Sequence, residues 1–203
     1  MRHILLALLI AAPASAQNAD AIWQSLVAGN RAYVAGKVTF DHLADQRKHS
    51  ADHQNPPVTV LSCSDSRVPP ELIFNRSLDQ LFVIRVAGNV AADFELASIE
   101  YAIANGYTKL IVVLGHENCG AVKAAMADGD AATPSLAVLL QRIRKSFAPK
   151  PATLQAAIGA NARASAAYLL GNSKIIREAV DGRRVGLIVA YYHLDSGVVE
   201  RLR

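Results

Sequence analysis

Cysteine is scarce in this chain of 203 residues: there are two, Cys63 and Cys119. A disulfide-rich scaffold is excluded, and the length provides enough material for one domain with an ordinary core. Charge of one sign is scarce too. Lys and Arg number 21 against 17 Asp and Glu, a formal charge of +4, and no block of like charge occurs. So mild a balance argues against nucleic acid or a membrane surface as partner. No apolar run is long enough to span a bilayer. The chain has no phosphate loop and no dinucleotide fingerprint, so cofactors other than a metal lack support. Ser62, Ser64 and Ser66 flank Cys63, but without a Gly-x-Ser-x-Gly elbow they make a weak case for a serine hydrolase. Internal repeats, low-complexity segments and inter-domain linkers are missing as well.

What is present begins with a leader pattern. Arg2 and His3 precede an apolar run from Ile4 to Ala11, and Ala14-Ser15-Ala16 is a small-x-small cleavage pattern before Gln17. Residues 1–16 are expected to be a signal peptide, and 17–203 a single exported, periplasmic domain with no membrane attachment after cleavage. The leader carries Arg2 and no acid, so its removal lowers the formal charge from +4 to +3.

The rest alternates between two periods. Ala19 to Ala35 has the pattern of an amphipathic helix ended by Gly36. Short β-branched runs at Val58–Ser62, Leu81–Val86, Leu110–Leu114 and Val185–Tyr191 read as strands, and the tail from Val198 as an edge strand. Helices are expected between them. One is N-capped by Asp93 and runs to Ala104, one opens at Cys119, and one runs from Pro134 to about Ser146. A long alanine-rich helix follows Pro151 to about Tyr168 and resumes toward Val180. Strands alternating with helices predict an α/β fold, a mostly parallel sheet flanked by helices. His42, His49 and His53 lie in a polar stretch, where a solvated surface is the expected reading and a second metal site the alternative.

Each cysteine stands in a metal-ligand context: Cys63-Ser64-Asp65-Ser66-Arg67 and His116-Glu117-Asn118-Cys119-Gly120. Two thiolates and one imidazole are the ligand set of a catalytic Zn2+ that keeps its fourth position open. The motifs end the first and third strands, and ligands bind beyond the carboxyl ends of strands in open α/β sheets. Two thiolates neutralise the dication, so bound water is acidified less than over three neutral ligands, and activity is expected to rise on the alkaline side of neutral. Asp65 is the candidate for orienting that water, with Arg67 clamping it in a charge-assisted pair. A plain strand-to-helix turn with Asp65 as cap is the alternative. Glu117 reads as a solvated charge or a shuttle, and Gly120 as a place where backbone packs closely. In an oxidising compartment a Cys63–Cys119 disulfide is the competing reading, but it explains neither His116 nor the Asp65/Arg67 pair.

Leu61-Ser62-Cys63-Ser64-Asp65-Ser66-Arg67-Val68-Pro69 and Gly115-His116-Glu117-Asn118-Cys119-Gly120-Ala121 resemble the two signatures of the β-class carbonic anhydrases. Phe82-Val83-Ile84-Arg85-Val86-Ala87-Gly88-Asn89 is similar to the stretch between them, and the resemblance runs from about Ala21 to Leu202. It implies the β-carbonic anhydrase fold and one Zn2+ per chain on Cys63, His116 and Cys119. It also implies an Asp65/Arg67 catalytic dyad and reversible hydration of carbon dioxide to bicarbonate and a proton. Gln54, Phe82 and Tyr101 match substrate-pocket positions of the plant-type subgroup. Such pockets lie at a dimer interface, so a homodimer, often paired into a tetramer, is implied. Another subgroup carries tryptophan and glycine where this chain has Val60 and Ser62, and an open site with Asp65 off the metal is therefore expected. Two rivals keep the ligands: a hydrolase of carbon disulfide or carbonyl sulfide on the same fold, and an exported zinc-binding or disulfide-linked protein without activity.

Overall fold

The computed structural model describes residues 14–127 and 129–203. The apolar run of the leader lies outside the described residues, whereas Ala14-Ser15-Ala16 begins a helix, α1 (Ala14–Val34). That helix starts earlier than the expected Ala19 and ends one residue before Ala35. No helix among the described residues is long and apolar enough to cross a membrane.

Four strands run parallel: β1 (Val58–Ser62), β2 (Leu81–Arg85), β3 (Leu110–His116) and β4 (Gly186–Tyr192). A short fifth strand, β5 (Val199–Arg201), lies antiparallel along β4, in the order β2-β1-β3-β4-β5. Every residue of β1 and β3 is buried. They sit in the middle of the sheet with both faces covered, which is why they read as continuous apolar runs. Alternation along the strand sends Val60, Leu110, Val112 and Leu114 to one face, where Trp23 and Leu26 of α1 cover them. Leu61, Ile111 and Val113 go to the other. There they meet Ile99 of α4 (Asp93–Ala104), Leu169 of α7 (Leu154–Asn172) and Ile176 of α8 (Lys174–Asp181).

Short helices fill the connections: α2 (Leu43–His49), α3 (Pro70–Ile73), α5 (Gly120–Met126) and α6 (Pro134–Arg144). Local chemistry sets their ends. The hydroxyls of Thr133, Thr153 and Ser173 accept the N–H groups of Leu136, Ala156 and Ile176, each cap being worth about 1 kcal/mol. Ser173 thereby splits the alanine-rich stretch into α7 and α8. Asp93 is not the cap expected of it. Ala92 holds that position, its N–H donates to Glu95 Oε2 at 3.0 Å, and Asp93 is the first helical residue. The buried Asn30 amide joins three segments, donating to the carbonyls of Ile73 and Gly197 and accepting the Val199 N–H. His42, His49 and His53 are exposed, and none belongs to a metal-sized group of ligands among the described residues.

The topology fixes where the chemistry sits. From β1 the chain crosses to β2 on one side and returns to β3 on the other. The carboxyl ends of β1 and β3 therefore flank a topological switch point, the crevice in which open α/β sheets bind ligands.

Candidate metal centre

Ser62, the last residue of β1, pairs with Leu114, two residues before the end of β3. The next residue after β1 is Cys63, and β3 closes with His116. Cys119 is the N-cap residue of α5. The two sulfurs and a ring nitrogen of His116 all lie within 4.8 Å of one another, and all three residues are buried. Both cysteines are free thiols, so the disulfide reading does not describe this structure.

Two observations test whether the trio fits a metal. His116 Nδ1 lies 2.8 Å from the Glu117 carbonyl oxygen. A carbonyl only accepts, so Nδ1 carries the proton and Nε2 is left with a lone pair. Nε2 is fully buried and has no hydrogen-bond partner. An acceptor orphaned this way costs about 1–3 kcal/mol, which a cation beside it removes. The sulfurs give the second observation. The Cys63 thiol is lowered to about 4, first by the neighbouring Cys119 thiol and further by His116 and backbone amides, against the opposing effect of burial. The same contact pushes Cys119 up, so the metal-free pair shares one proton. A dication held here would take both sulfurs as thiolate ligands in place of that proton. The donor set fits Zn2+, with a fourth position open.

Asp65 sits on the rim. Its carboxylate accepts Arg67 Nε on Oδ1 at 2.9 Å and Arg67 Nη2 on Oδ2 at 2.7 Å, and Oδ1 also accepts the Arg67 N–H. Oδ2 lies 4.0 Å from His116 Nε2. The guanidinium holds the Asp65 carboxyl well below the usual carboxylate range, so it is ionised.

Four residues support the site in ways that carried no signal of their own in the sequence. The Gly88 N–H donates to Cys63 Sγ at 3.2 Å. Gly88 has φ +71°, and a Cβ there would stand 2.9 Å from Ile143 Cδ1. Arg85 spans the turn, donating to the carbonyls of Cys63 and Asp65. Asn161 of α7 donates to the Gly88 carbonyl at 2.6 Å. Glu117 is not simply a solvated charge: it holds His116 through its carbonyl, and its carboxylate accepts the Leu194 N–H. Gly120 has open space where a Cβ would stand, so close packing does not explain it.

The pocket residues are not gathered at the triad. Phe82 is level with Thr59, three residues before Ser62, and so lies about 10 Å back from the carboxyl edge. It stacks on Tyr101, 51% exposed, with ring centroids 6.3 Å apart. Gln54 is exposed in the coil before β1.

Known proteins share this arrangement. The sequence profile of the carbonic anhydrase family matches residues 58–199, which hold both motifs. The chain belongs to the β-class carbonic anhydrases. It is 34% identical over 188 residues to "Carbonic anhydrase 2" of Mycobacterium tuberculosis, covering 89% of this chain and 91% of that one. It is 34% identical over 194 residues to "Carbonic anhydrase" of Mycolicibacterium smegmatis, covering 90% and 93%. The solved β-carbonic anhydrase CcaA superimposes with a TM-score of 0.72 at 25% identity, over 90% of this chain and 95% of that one. A tetrameric β-carbonic anhydrase of Sordaria macrospora gives a TM-score of 0.67 at 26% identity, over 90% and 97%.

Proposed function

We propose that this protein catalyses the reversible hydration of carbon dioxide to bicarbonate and a proton, with one Zn2+ per chain on Cys63, His116 and Cys119. The observation that carries the reading is the Asp65 carboxylate, gripped on both oxygens by Arg67 and 4.0 Å from the orphaned His116 Nε2. Holding a metal requires neither residue; orienting a nucleophile beside it requires both.

A bound Zn2+ supplies Lewis acidity, which lowers the pKa of water in its open position. The rest is work for the chain. Ionised Asp65 accepts a hydrogen bond from the attacking water and aims its lone pair at the carbon. Arg67 keeps Asp65 ionised and at the rim rather than in the fourth ligand position, the open form of the site. The amide of Gly88 holds the Cys63 sulfur in place. Carbon dioxide is linear and apolar, and Phe82 with Tyr101 offers a matching aromatic wall, with Gln54 as a hydrogen-bond donor. Because these lie away from their own triad, the wall of each site comes from a partner subunit. The minimum active unit is a homodimer, and pairing into a tetramer follows the description of the Sordaria relative. The leader pattern of residues 1–16 supports export to the periplasm, with residues 17–203 as the mature domain.

Stopped-flow carbon dioxide hydration by the zinc-loaded protein tests the reading. Activity that rises with pH and persists near neutrality is expected. Zinc-loaded protein inactive at every pH would overturn it, and turnover of carbonyl sulfide or carbon disulfide instead would move the assignment to those substrates.

A further inference from the structure

A small, partly open cavity lies between α6 and α7, behind the turn that carries Gly88. Its volume is about 70 Å³, and Arg142, Lys145, Ser146, Asn161 and Ser165 provide its polar lining. That is room for a few waters or one small ion. No carboxylate lines it. Neither Arg142 nor Lys145 has a carboxylate within ion-pair distance among the described residues. Arg142 is fixed by donating Nε to the Ala91 carbonyl at 3.0 Å and by stacking 3.9 Å over the Tyr168 ring. Its remaining N–H groups are left for another acceptor.

The opposite wall is polar where a helix core would be apolar. Asn161 and Ser165 are one turn apart on α7, and they are 2% and 3% exposed. Asn161 uses one amide hydrogen on the Gly88 carbonyl and has a second to offer. Three of the last carbonyls of α6 are already engaged. Those of Gln141, Ile143 and Arg144 accept from Lys145 N, Ser146 N and Oγ, and Phe147 N. A half-buried guanidinium without a carboxylate partner, the exposed Lys145 ammonium at the rim, and the buried polar side chains of Asn161 and Ser165 around so small a volume suit an anion.

We propose that this cavity is a binding site for a small monovalent anion, a halide or an oxyanion of bicarbonate size, held by Arg142, Lys145 and Ser165. The site is linked to the metal centre by two hydrogen bonds: Asn161 to the Gly88 carbonyl, and the Gly88 N–H to Cys63 Sγ. An anion that orders Asn161 therefore also steadies the amide that holds Cys63.

Crystals of the full zinc-loaded protein, grown without halide and soaked in sodium bromide, give the first test. A bromine anomalous peak between Arg142, Lys145 and Ser165 is expected. Bromide affinity in solution, from halide NMR line width, should weaken about tenfold in Lys145→Gln and in Ser165→Ala, the size of one lost hydrogen bond to a charge. Bromide should also slow zinc transfer to a chelator, and about ten times more bromide should be needed for the same slowing in Ser165→Ala. Displacement of bromide from the cavity by bicarbonate identifies the oxyanion as the ligand, and failure to displace it identifies the halide. Bromide found only at the surface, or equal affinity in all three proteins, overturns the site. Zinc transfer indifferent to bromide overturns the link to Cys63.

Discussion

Arg67 grips both oxygens of Asp65, Nε on Oδ1 at 2.9 Å and Nη2 on Oδ2 at 2.7 Å. Two parallel bonds fix the plane of the carboxylate as well as its charge. Arg67→Ala should leave zinc content near normal and cut carbon dioxide hydration about a hundredfold or more, the low end of what a positioned acid–base group contributes. Arg67→Lys should fall between, since an ammonium is a point charge and cannot fork. Full activity in Arg67→Ala, with zinc measured in the same sample, would remove the pair from the mechanism.

Gly88 meets two demands at once, a positive φ and a sulfur-facing amide. In Gly88→Ala the new Cβ must enter a left-handed conformation and move Ile143. A loss of about 1–3 kcal/mol in denaturant unfolding is expected. Zinc release to a chelator should be faster, because the amide that faces Cys63 moves with the turn. Unchanged release would show that this amide does not steady the sulfur.

Cys119 is both a ligand and the entry to α5. Cys119→Ser should lose zinc, and with it local order in residues 116–126, because binding a metal and folding around it are coupled. Metal analysis and amide exchange over that segment check this together. Retention of stoichiometric zinc would mean another donor completes the site.

Tyr191 is buried behind the metal centre and its phenol is pushed up to about 12, first by burial and then by the nearby Glu117 and Glu200 carboxylates. A raised acid means the fold favours the neutral phenol. Its contribution is complete below the unfolded value near 10 and is lost as pH rises from there through about 12. Absorbance of phenolate should therefore show Tyr191 ionising late, together with loss of structure. Tyr191→Phe should remove one late tyrosine and flatten the alkaline fall in stability. An unchanged late step in that variant would contradict the shift.

The motifs legible in the sequence are those where side-chain chemistry is distinctive. Cys63, His116 and Cys119 announce a metal by type, and the apolar runs of β1 and β3 announce a buried parallel sheet, so their meeting follows from topology. Asp65 with Arg67 was legible because the two lie two residues apart on one turn. What was not legible is work done by backbone. The Glu117 carbonyl, the Gly88 amide and the carbonyls that Arg85 binds belong to no side-chain pattern. Asn161 reads as one more polar residue in an alanine-rich helix until the Gly88 carbonyl is seen against it. Asp93 misled for a related reason: it can cap, but the Glu95 carboxylate reached back to the Ala92 N–H first.

The 10 Å between Phe82 and the carboxyl edge of its own sheet leads to the last prediction. In the proposed homodimer the wall is supplied by a partner, so each active site would combine the metal centre of one protomer with Phe82 and Tyr101 of the other. Arg67→Ala damages only the first contribution, and Tyr101→Asp only the second. Each variant alone should be nearly inactive. Unfolded together and refolded, they form mixed dimers in which one site combines both damaged parts and the other combines both intact ones. Random pairing makes half the dimers mixed, so about a quarter of the parent activity should return. If each protomer instead builds its wall from its own Phe82 and Tyr101, every site in the mixture keeps one lesion and no activity returns.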